Sequence, residues 1–292
     1  MIEYDGLIIR PPSEAESLIL QHTIGCSHNT CIFCPAYKQK RFRIRGLEEI
    51  REEVEACIPE GADVRRIFLA DGDALVVPQA DLIALFSFLN ARFPSLRRIA
   101  QYANAKNILG KTVDELRQLR EQGLGILYLG IESGDDELLA WMGKGVTSAQ
   151  MEEAGKRVKE AGIKLSVTVL LGIGGRKRSA AHARATGRLL SAIEPDYVGA
   201  LTTMVVPGTP LHDLEQAGQF ALPPVFEILS ELADMLENTR MNQGLFFANH
   251  ASNYLPLRLR MPADRDQAIA TIRDVVKRED PSVLRPASHR RL

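Results

Sequence analysis

Three cysteines, Cys26, Cys31 and Cys34, lie within nine residues and are the side chains of this sequence best suited to chemistry. Their spacing is C-x4-C-x2-C. Three thiolates on one loop can bind three corners of a 4Fe-4S cubane and leave its fourth iron open to a small chelating molecule. The spacing therefore predicts a metal or redox centre at these cysteines.

Two other interpretations of the cysteines stay open. A structural zinc site would need a fourth ligand, which His22 or His28 could supply. Inert thiols belong in apolar surroundings, whereas this segment is rich in Gly, Ser, Asn and Thr. Cys57 lies apart from the group in a helical pattern, GLEEIREEVEACI, and is predicted to be a small buried apolar residue.

Apolar, β-branched runs alternate with amphipathic helical patterns along most of the chain, which predicts repeated β/α units. The predicted strands are 17–22, 64–70, 96–101, 125–131, 163–171 and 197–203. The predicted helices are 46–57, 79–92, 113–122, 148–161 and 179–192. Because parallel strands collect reactive residues beyond their carboxyl ends, the position of the cysteines after the first strand favours a functional role. We therefore expect an α/β fold with a partial or complete barrel.

Composition sets broad limits on function. The 292 residues are 45% hydrophobic and 25% charged, with a formal net charge of -1, as in an ordinary soluble globular protein. The net charge gives no general attraction to nucleic acid or to an anionic membrane. The first twenty residues lack a signal-peptide pattern, and no apolar run is long enough to span a membrane. We expect a cytoplasmic protein without membrane contact, where thiols stay reduced.

Two more segments complete a resemblance to the radical S-adenosylmethionine (SAM) superfamily. They are YLGIESGDDELLAWMGKG, around the fourth predicted strand, and KEAGIKLSVTVLLGIGG, around the fifth. With the cysteines, they resemble the branch that shares a core with tRNA methylthiotransferases, elongator-type enzymes and oxygen-independent coproporphyrinogen dehydrogenases. The usual spacing in that branch is C-x3-C-x2-C, so this chain carries one extra residue between Cys26 and Cys31. The resemblance covers residues 15–210.

The resemblance implies a fold and a domain organisation. A partial (β/α)6 TIM-type barrel of the radical SAM kind would occupy residues 1–210. A short, α-rich C-terminal extension, residues 211–292, would close the barrel mouth and include a helix over 263–277.

The resemblance also implies a 4Fe-4S cluster and SAM as cofactors, with reductive cleavage of SAM to a 5'-deoxyadenosyl radical. Phe33 corresponds to the position beside the adenine, and Asp73 to the carboxylate that receives the methionine amino group. Glu132 and Ser133 would face the ribose and methionine, and Gly172 would allow a close backbone approach. Each has a structural alternative: a core aromatic for Phe33, a turn for the Asp73 segment, a helix cap for Ser133 and a solvated strand end for Glu132.

Substrate-side candidates come from segments that vary around this core. Tyr102 and Asn104 follow the third predicted strand in QYANAK, and His250 and Asn253 lie in the polar segment FFANHASNYLPL. A hydrogen-bonded loop that closes the barrel is the structural alternative for the latter pair.

The predicted function is a radical SAM enzyme that acts on an unidentified small molecule, with an external electron donor such as flavodoxin or ferredoxin. An RNA-modifying enzyme is one alternative, because the chain ends in the basic segment LRPASHRRL. Nucleic acid is nevertheless not the expected partner. A non-catalytic Fe-S electron carrier or scaffold is another alternative, although such a protein would not need segments that resemble a nucleoside site.

Overall fold

Mostly parallel strands alternate with helices in the computed structural model, which describes residues 2–291. The chain forms two compact units. The first comprises the residues up to Asn29, Cys34–Leu129 and Lys156–Leu165; the second comprises Thr30–Phe33, Gly130–Gly155 and the residues from Ser166 onward. This alternation confirms the predicted α/β class.

The first six strands are β1 (Leu18–Gln21), β2 (Thr23–Ile24), β3 (Arg43–Ile44), β4 (Arg66–Ala70), β5 (Arg98–Ala103) and β6 (Leu124–Glu132). The helices of the first unit include α1 (Leu47–Cys57), α2 (Gln79–Arg92), α3 (Ala105–Leu109) and α4 (Val113–Glu121). Strands β1, β4, β5 and β6 pair in parallel in that order, and β2 pairs antiparallel with β3.

Continuous apolar strands form the core of the first unit. Strand β4, RIFLA, is buried over its last four residues, as expected of a parallel strand covered on both faces. Helix α2 buries Leu82, Leu85, Phe86 and Leu89. Asp71 and Asn104 directly follow the ends of β4 and β5.

The elements that follow are α5 (Asp136–Trp141), α6 (Ser148–Glu160), β7 (Lys164–Leu171), α7 (Gly175–Ile193), β8 (Tyr197–Thr202), α8 (Pro210–Gln216), α9 (Val225–Glu237), β9 (Leu245–Phe247), β10 (Arg258–Arg260) and α10 (Arg265–Arg278). In the second unit β7, β8 and β9 pair in parallel, and β10 pairs antiparallel with β9. Helix α9 buries its apolar face and packs against α7 and α10.

All six strands predicted from the sequence are present, each within two residues of its predicted ends. Helix α7 begins at Gly175, four residues before its predicted start, because the glycine-rich turn continues directly into the helix. The predicted C-terminal extension is not only helical, since it contributes β9 and β10. The boundary at residue 210 stays a prediction.

Helices long and apolar enough to cross a bilayer are absent from residues 2–291.

Candidate functional site

The three clustered cysteines lie in an irregular segment between β2 and β3, and all three are half-buried. Cys26 and Cys34 belong to the first unit, and Cys31 belongs to the second. Among residues 2–291, no three His, Cys, Asp or Glu side chains converge as the ligands of a single metal ion would. The zinc interpretation therefore gains no support. A cubane differs, because each thiolate binds its own iron.

Asp71, at the end of β4, fixes both flanks of the cysteine segment within the first unit. Its Oδ2 accepts hydrogen bonds from the Gly25 amide at 3.0 Å and from the Lys40 ammonium at 2.8 Å. The Asp71 side chain is fully buried and that of Lys40 nearly so. Charge-assisted hydrogen bonds of this kind are stronger than neutral ones, so the ion pair holds the chain in place just before Cys26 and beyond Cys34.

Gly72 allows two side chains to approach the backbone after β4. A Cβ atom at this position would lie 2.5 Å from Cε2 of Tyr37 and 3.0 Å from Cβ of Cys26. Burial also raises the pKa of Tyr37, which stays a neutral phenol. A glycine is therefore required for this close packing beside Cys26.

Asp73 lies one residue further along and is fully buried. Oδ2 accepts hydrogen bonds from Asn104 Nδ2 at 2.6 Å, from Ser27 Oγ and from Asn107 Nδ2. Burial raises its pKa to about 6, although these donors act in the opposite direction. Asn104, predicted on the substrate side, thus contacts the carboxylate predicted for SAM.

Glu132 ends β6 with a left-handed backbone, φ +60°, which is uncommon for a residue other than glycine. Its carboxylate pairs with Lys144 at 3.0 Å, and both side chains are mostly buried. A Cβ at Gly130 would lie 2.2 Å from Glu132 Oε1 and would displace this carboxylate. The Glu132 carboxylate is therefore mostly buried and paired with Lys144, and it is not a solvated strand end.

Ser133 is fully buried directly after Glu132. Its hydroxyl lies 2.8 Å from Nδ1 of His182 and accepts a hydrogen bond from the amide of Asp135. Asp135 is the N-cap of α5. Ser133 thus fixes the backbone at the start of that helix. This role resembles the helix cap that was the structural alternative considered from the sequence.

Phe33 packs against an apolar cluster of the second unit formed by Leu138, Leu139, Met142, Leu170, Ile173, Leu211 and Phe220. The amide of Ile32 donates to the carbonyl of Met142 at 3.0 Å. Trp141, at the end of α5, stacks on Phe220 with ring centroids 5.8 Å apart and remains 41% exposed. The segment around Cys31 is therefore held on α5.

Gly172 follows β7 with φ +80°, a conformation that favours glycine. Its amide donates to Oε1 of Glu231 at 2.6 Å. The backbone of this turn is thus oriented by a buried carboxylate of α9, as well as by the strand.

Tyr102, a predicted substrate-side residue, packs edge to face against Phe68 and Tyr128, at 5.1 and 6.0 Å between ring centroids. Burial is the main cause of the raised pKa of its phenol. It stands on the strand that leads to Asn104.

The remaining two substrate-side candidates lie in the second unit. Asn253 is nearly fully buried, accepts a hydrogen bond from Thr202 Oγ1 at 2.9 Å and donates to the carbonyl of Ala200 at 2.7 Å. His250 is half-buried beside Ser252, and burial together with Arg285 lowers its pKa. The amide of Asn253 is therefore used to bind β8, whereas the ring of His250 is more accessible.

Sequence reasoning missed Lys40, Asn107, Lys144 and Glu231. Lys144 stands in the GKG segment quoted for the resemblance, so its charge was a readable signal. Glu231 gave no such signal, because an acidic residue in an amphipathic helix is ordinarily exposed.

The residues present fit an iron-sulfur centre. Three half-buried thiols lie on a loop that carries no regular structure, and the Gly25–Asp71 hydrogen bond and the close contact with Gly72 hold the chain at Cys26. Such partly accessible thiols are typical of metal ligands.

Parallel β/α units with a three-cysteine loop after the first strand define a class of α/β protein that carries the thiols of a redox centre. The sequence matches the Radical SAM superfamily over residues 20–186, more than half of its length. The chain belongs to this superfamily, whose members use a 4Fe-4S cluster and SAM.

Named relatives span several activities. A tRNA-2-methylthio-N(6)-dimethylallyladenosine synthase of Dehalococcoides mccartyi is 32% identical over 161 residues, 53% of this chain and 37% of that protein. The heme chaperone HemW of Bacillus subtilis is 22% identical over 208 residues, 70% of this chain and 54% of the relative. The chain thus spans about a third to a half of the length of these curated relatives.

Solved structures support the shared fold alone. Coproporphyrinogen III oxidase (HemN) of Escherichia coli has a TM-score of 0.56 at 17% identity, covering 77% of this chain and 52% of that one. Methylornithine synthase (PylB) has a TM-score of 0.53 at 21% identity, with coverages of 77% and 63%.

Proposed function

We propose that this chain is a radical SAM enzyme in which Cys26, Cys31 and Cys34 bind a 4Fe-4S cluster and the fourth iron binds SAM. With one electron from an external donor, the cofactors held there would supply a 5'-deoxyadenosyl radical for hydrogen abstraction from the substrate, with methionine as the other product of SAM cleavage. The three-thiol loop after β1, in a chain of this superfamily, carries the proposal.

Five residues are proposed to bind SAM. Asp73 would receive the amino group, since a buried carboxylate pairs strongly with an ammonium. Glu132 and Ser133 would contact the ribose and methionine, Phe33 the adenine, and Gly172 the cofactor through its backbone. The burial of Asp73, Glu132 and Ser133 and the hydrogen bonds of Ser133 and Gly172 support pre-organised positions.

The proposed substrate is a small molecule, and the proposed electron donor is a flavodoxin or ferredoxin in a reducing cytoplasm. Tyr102, Asn104, His250 and Asn253 are the proposed substrate-side residues. The C-terminal extension, residues 211–292, would complete the substrate site of the core, residues 1–210.

A second candidate is an RNA-modifying enzyme. It is favoured by the relative named as a tRNA-2-methylthio-N(6)-dimethylallyladenosine synthase, which is 32% identical to this chain. The two candidates differ in whether the protein must bind a nucleic-acid polymer. Binding of RNA would be strongly salt-dependent.

Anaerobic reconstitution tests the proposed function. We expect about four irons per chain, loss of the cluster when Cys26, Cys31 and Cys34 are all replaced by Ala, and no change in Cys57→Ala. With a strong reductant and SAM, the loaded protein should slowly form 5'-deoxyadenosine. Loaded protein that neither binds SAM nor forms this product would instead be an electron carrier or scaffold.

A further inference from the structure

A buried polar network joins the turns that follow β6 and β7. His182 on α7 is fully buried, with Nε2 2.9 Å from the carbonyl oxygen of Leu170 and Nδ1 2.8 Å from Oγ of Ser133. Two strand ends therefore meet one imidazole ring within the second unit.

The hydrogen-bond partners define the tautomer of His182. The Leu170 carbonyl can only accept, so Nε2 carries the proton and Nδ1 accepts from the Ser133 hydroxyl. Burial lowers the pKa of His182 to about 4, so the ring is neutral near pH 7. The Ser133 hydroxyl in turn accepts from the amide of Asp135 at 3.0 Å, which fixes the turn after Glu132.

Thr186 provides a second link between α7 and the same turn. Its hydroxyl accepts from the amide of Gly134 at 2.9 Å and lies 3.3 Å from Nδ1 of His182. Two consecutive amides after Ser133 are thus oriented by hydroxyls that both contact one ring.

Glu231 extends the network to the turn after β7. Its Oε1 accepts from the Gly172 amide at 2.6 Å and lies 3.6 Å from His182 Nε2, and its Oε2 accepts from Ser179 Oγ at 2.6 Å. The side chain is fully buried on α9, beyond the residues matched by the superfamily. A segment outside the residues matched by the superfamily therefore orients a turn inside them.

We propose that His182 and Glu231 are positioning residues for the SAM site, and that they act through the turns bearing Glu132, Ser133 and Gly172. This inference rests on the proposed function, which assigns SAM to those turns. A hydrogen bond lost from such a turn allows its backbone to move, which weakens SAM binding without affecting the thiols.

The test compares paired substitutions at each position. His182→Ala and Glu231→Ala remove the contacts, whereas His182→Asn keeps an acceptor for Ser133 and Glu231→Gln keeps an acceptor for Gly172. Glu227→Ala is the matched control, because Glu227 lies one turn earlier on α9, is exposed and pairs only with Arg176 in the described contacts. Iron content, SAM dissociation constant and thermal midpoint are measured for each loaded protein.

We expect both Ala variants to keep their iron and to bind SAM about tenfold more weakly or worse. His182→Asn and Glu231→Gln should recover most of the affinity, and Glu227→Ala should match the wild type. If Glu231→Ala does not fold, Glu231→Asp replaces it, because the shorter side chain withdraws the acceptor but keeps a carboxyl group. Weaker binding in Glu231→Gln than in Glu231→Asp would overturn the hydrogen-bond argument.

Amide hydrogen exchange gives a readout that does not depend on SAM. Exchange should rise around residues 133–135 in His182→Ala and around residue 172 in Glu231→Ala, while Glu227→Ala leaves both segments protected. Unchanged exchange, or wild-type SAM affinity in folded Ala variants, would overturn the inference. A different outcome is that the Ala variants show the expected exchange but the loaded wild-type protein binds no SAM. That outcome would refute the proposed function and, with it, the cofactor role of the network.

Discussion

Asp73 combines complete burial with several hydrogen-bond donors, and the effect of burial on its pKa is the larger one. Burial therefore raises the pKa of this carboxyl group to about 6. Its charge is available at pH 7 and is lost on mild acidification. An ammonium partner would stabilise the charged form.

We predict that the affinity for SAM falls as the pH is lowered through 6. About one-tenth of the Asp73 groups would be ionised at pH 5, so the dissociation constant should be about tenfold higher there than at pH 7.5. Equilibrium dialysis of the loaded protein over this range measures the effect. Asp73→Asn should bind weakly with little pH dependence; an equally steep profile in that variant would assign the titration to another group.

At this scale the sequence identified residues next to recognisable motifs but not their partners. Asp73 follows a predicted strand, whereas its partner Asn107 lies thirty-four positions later on helix α3. Lys40 binds Asp71 across thirty-one positions of sequence. Such long-range pairs depend on tertiary geometry, so a single sequence cannot reveal them.

The turn between β6 and α5 approaches the backbone of α7 very closely. A Cβ at Gly134 would lie 2.4 Å from the carbonyl oxygen of Ala185. Backbone cannot move aside as the end of a side chain can, so glycine is required here.

Gly134→Ala should therefore destabilise the protein by about 1–3 kcal/mol, the usual cost of overpacking. Gly199→Ala is the control, because a Cβ there would meet its nearest neighbour at 3.6 Å. Urea unfolding midpoints of both variants measure the difference. Equal midpoints would show that the turn can separate from α7 at little cost.

The segment between β9 and β10 is attached to β8 through Asn253. We predict that Asn253→Ala lowers the free energy of unfolding by about 1–3 kcal/mol, because buried polar groups on β8 lose their partner. His250→Ala should change it by much less and should reduce only substrate-dependent turnover. Chemical unfolding with SAM titration separates these outcomes; a large loss of stability in His250→Ala would make the whole segment structural.

Strong periodic patterns explain why the six longer strands and most helices could be predicted. Strand β7, KLSVTVLL, is a long β-branched and apolar run bounded by glycine, so local pattern and final structure agree. Strands β9 and β10 have three residues each, too few to show a period, and their pairing depends on the neighbouring strands of the sheet. The short helix α3 was missed for the same reason.

For the molecule as a whole, a net charge of -1 gives no general attraction to a polymer of phosphates. We predict that a small-molecule extract, and not bulk tRNA, stimulates 5'-deoxyadenosine formation by the loaded protein. The measurement is the product formed with each addition at near-physiological salt. Stimulation by tRNA, lost after ribonuclease treatment, would instead establish the RNA-modifying alternative.

Trp141 is the single tryptophan of the chain, and it lies next to Met142, whose carbonyl holds the residue after Cys31. Its emission is therefore an optical signal from one known place, without contributions from other indoles. An iron-sulfur cluster absorbs visible and near-ultraviolet light and quenches nearby fluorescence by energy transfer. Loss of Trp141 emission during anaerobic iron loading would follow cluster assembly in real time, with no substrate and no turnover required.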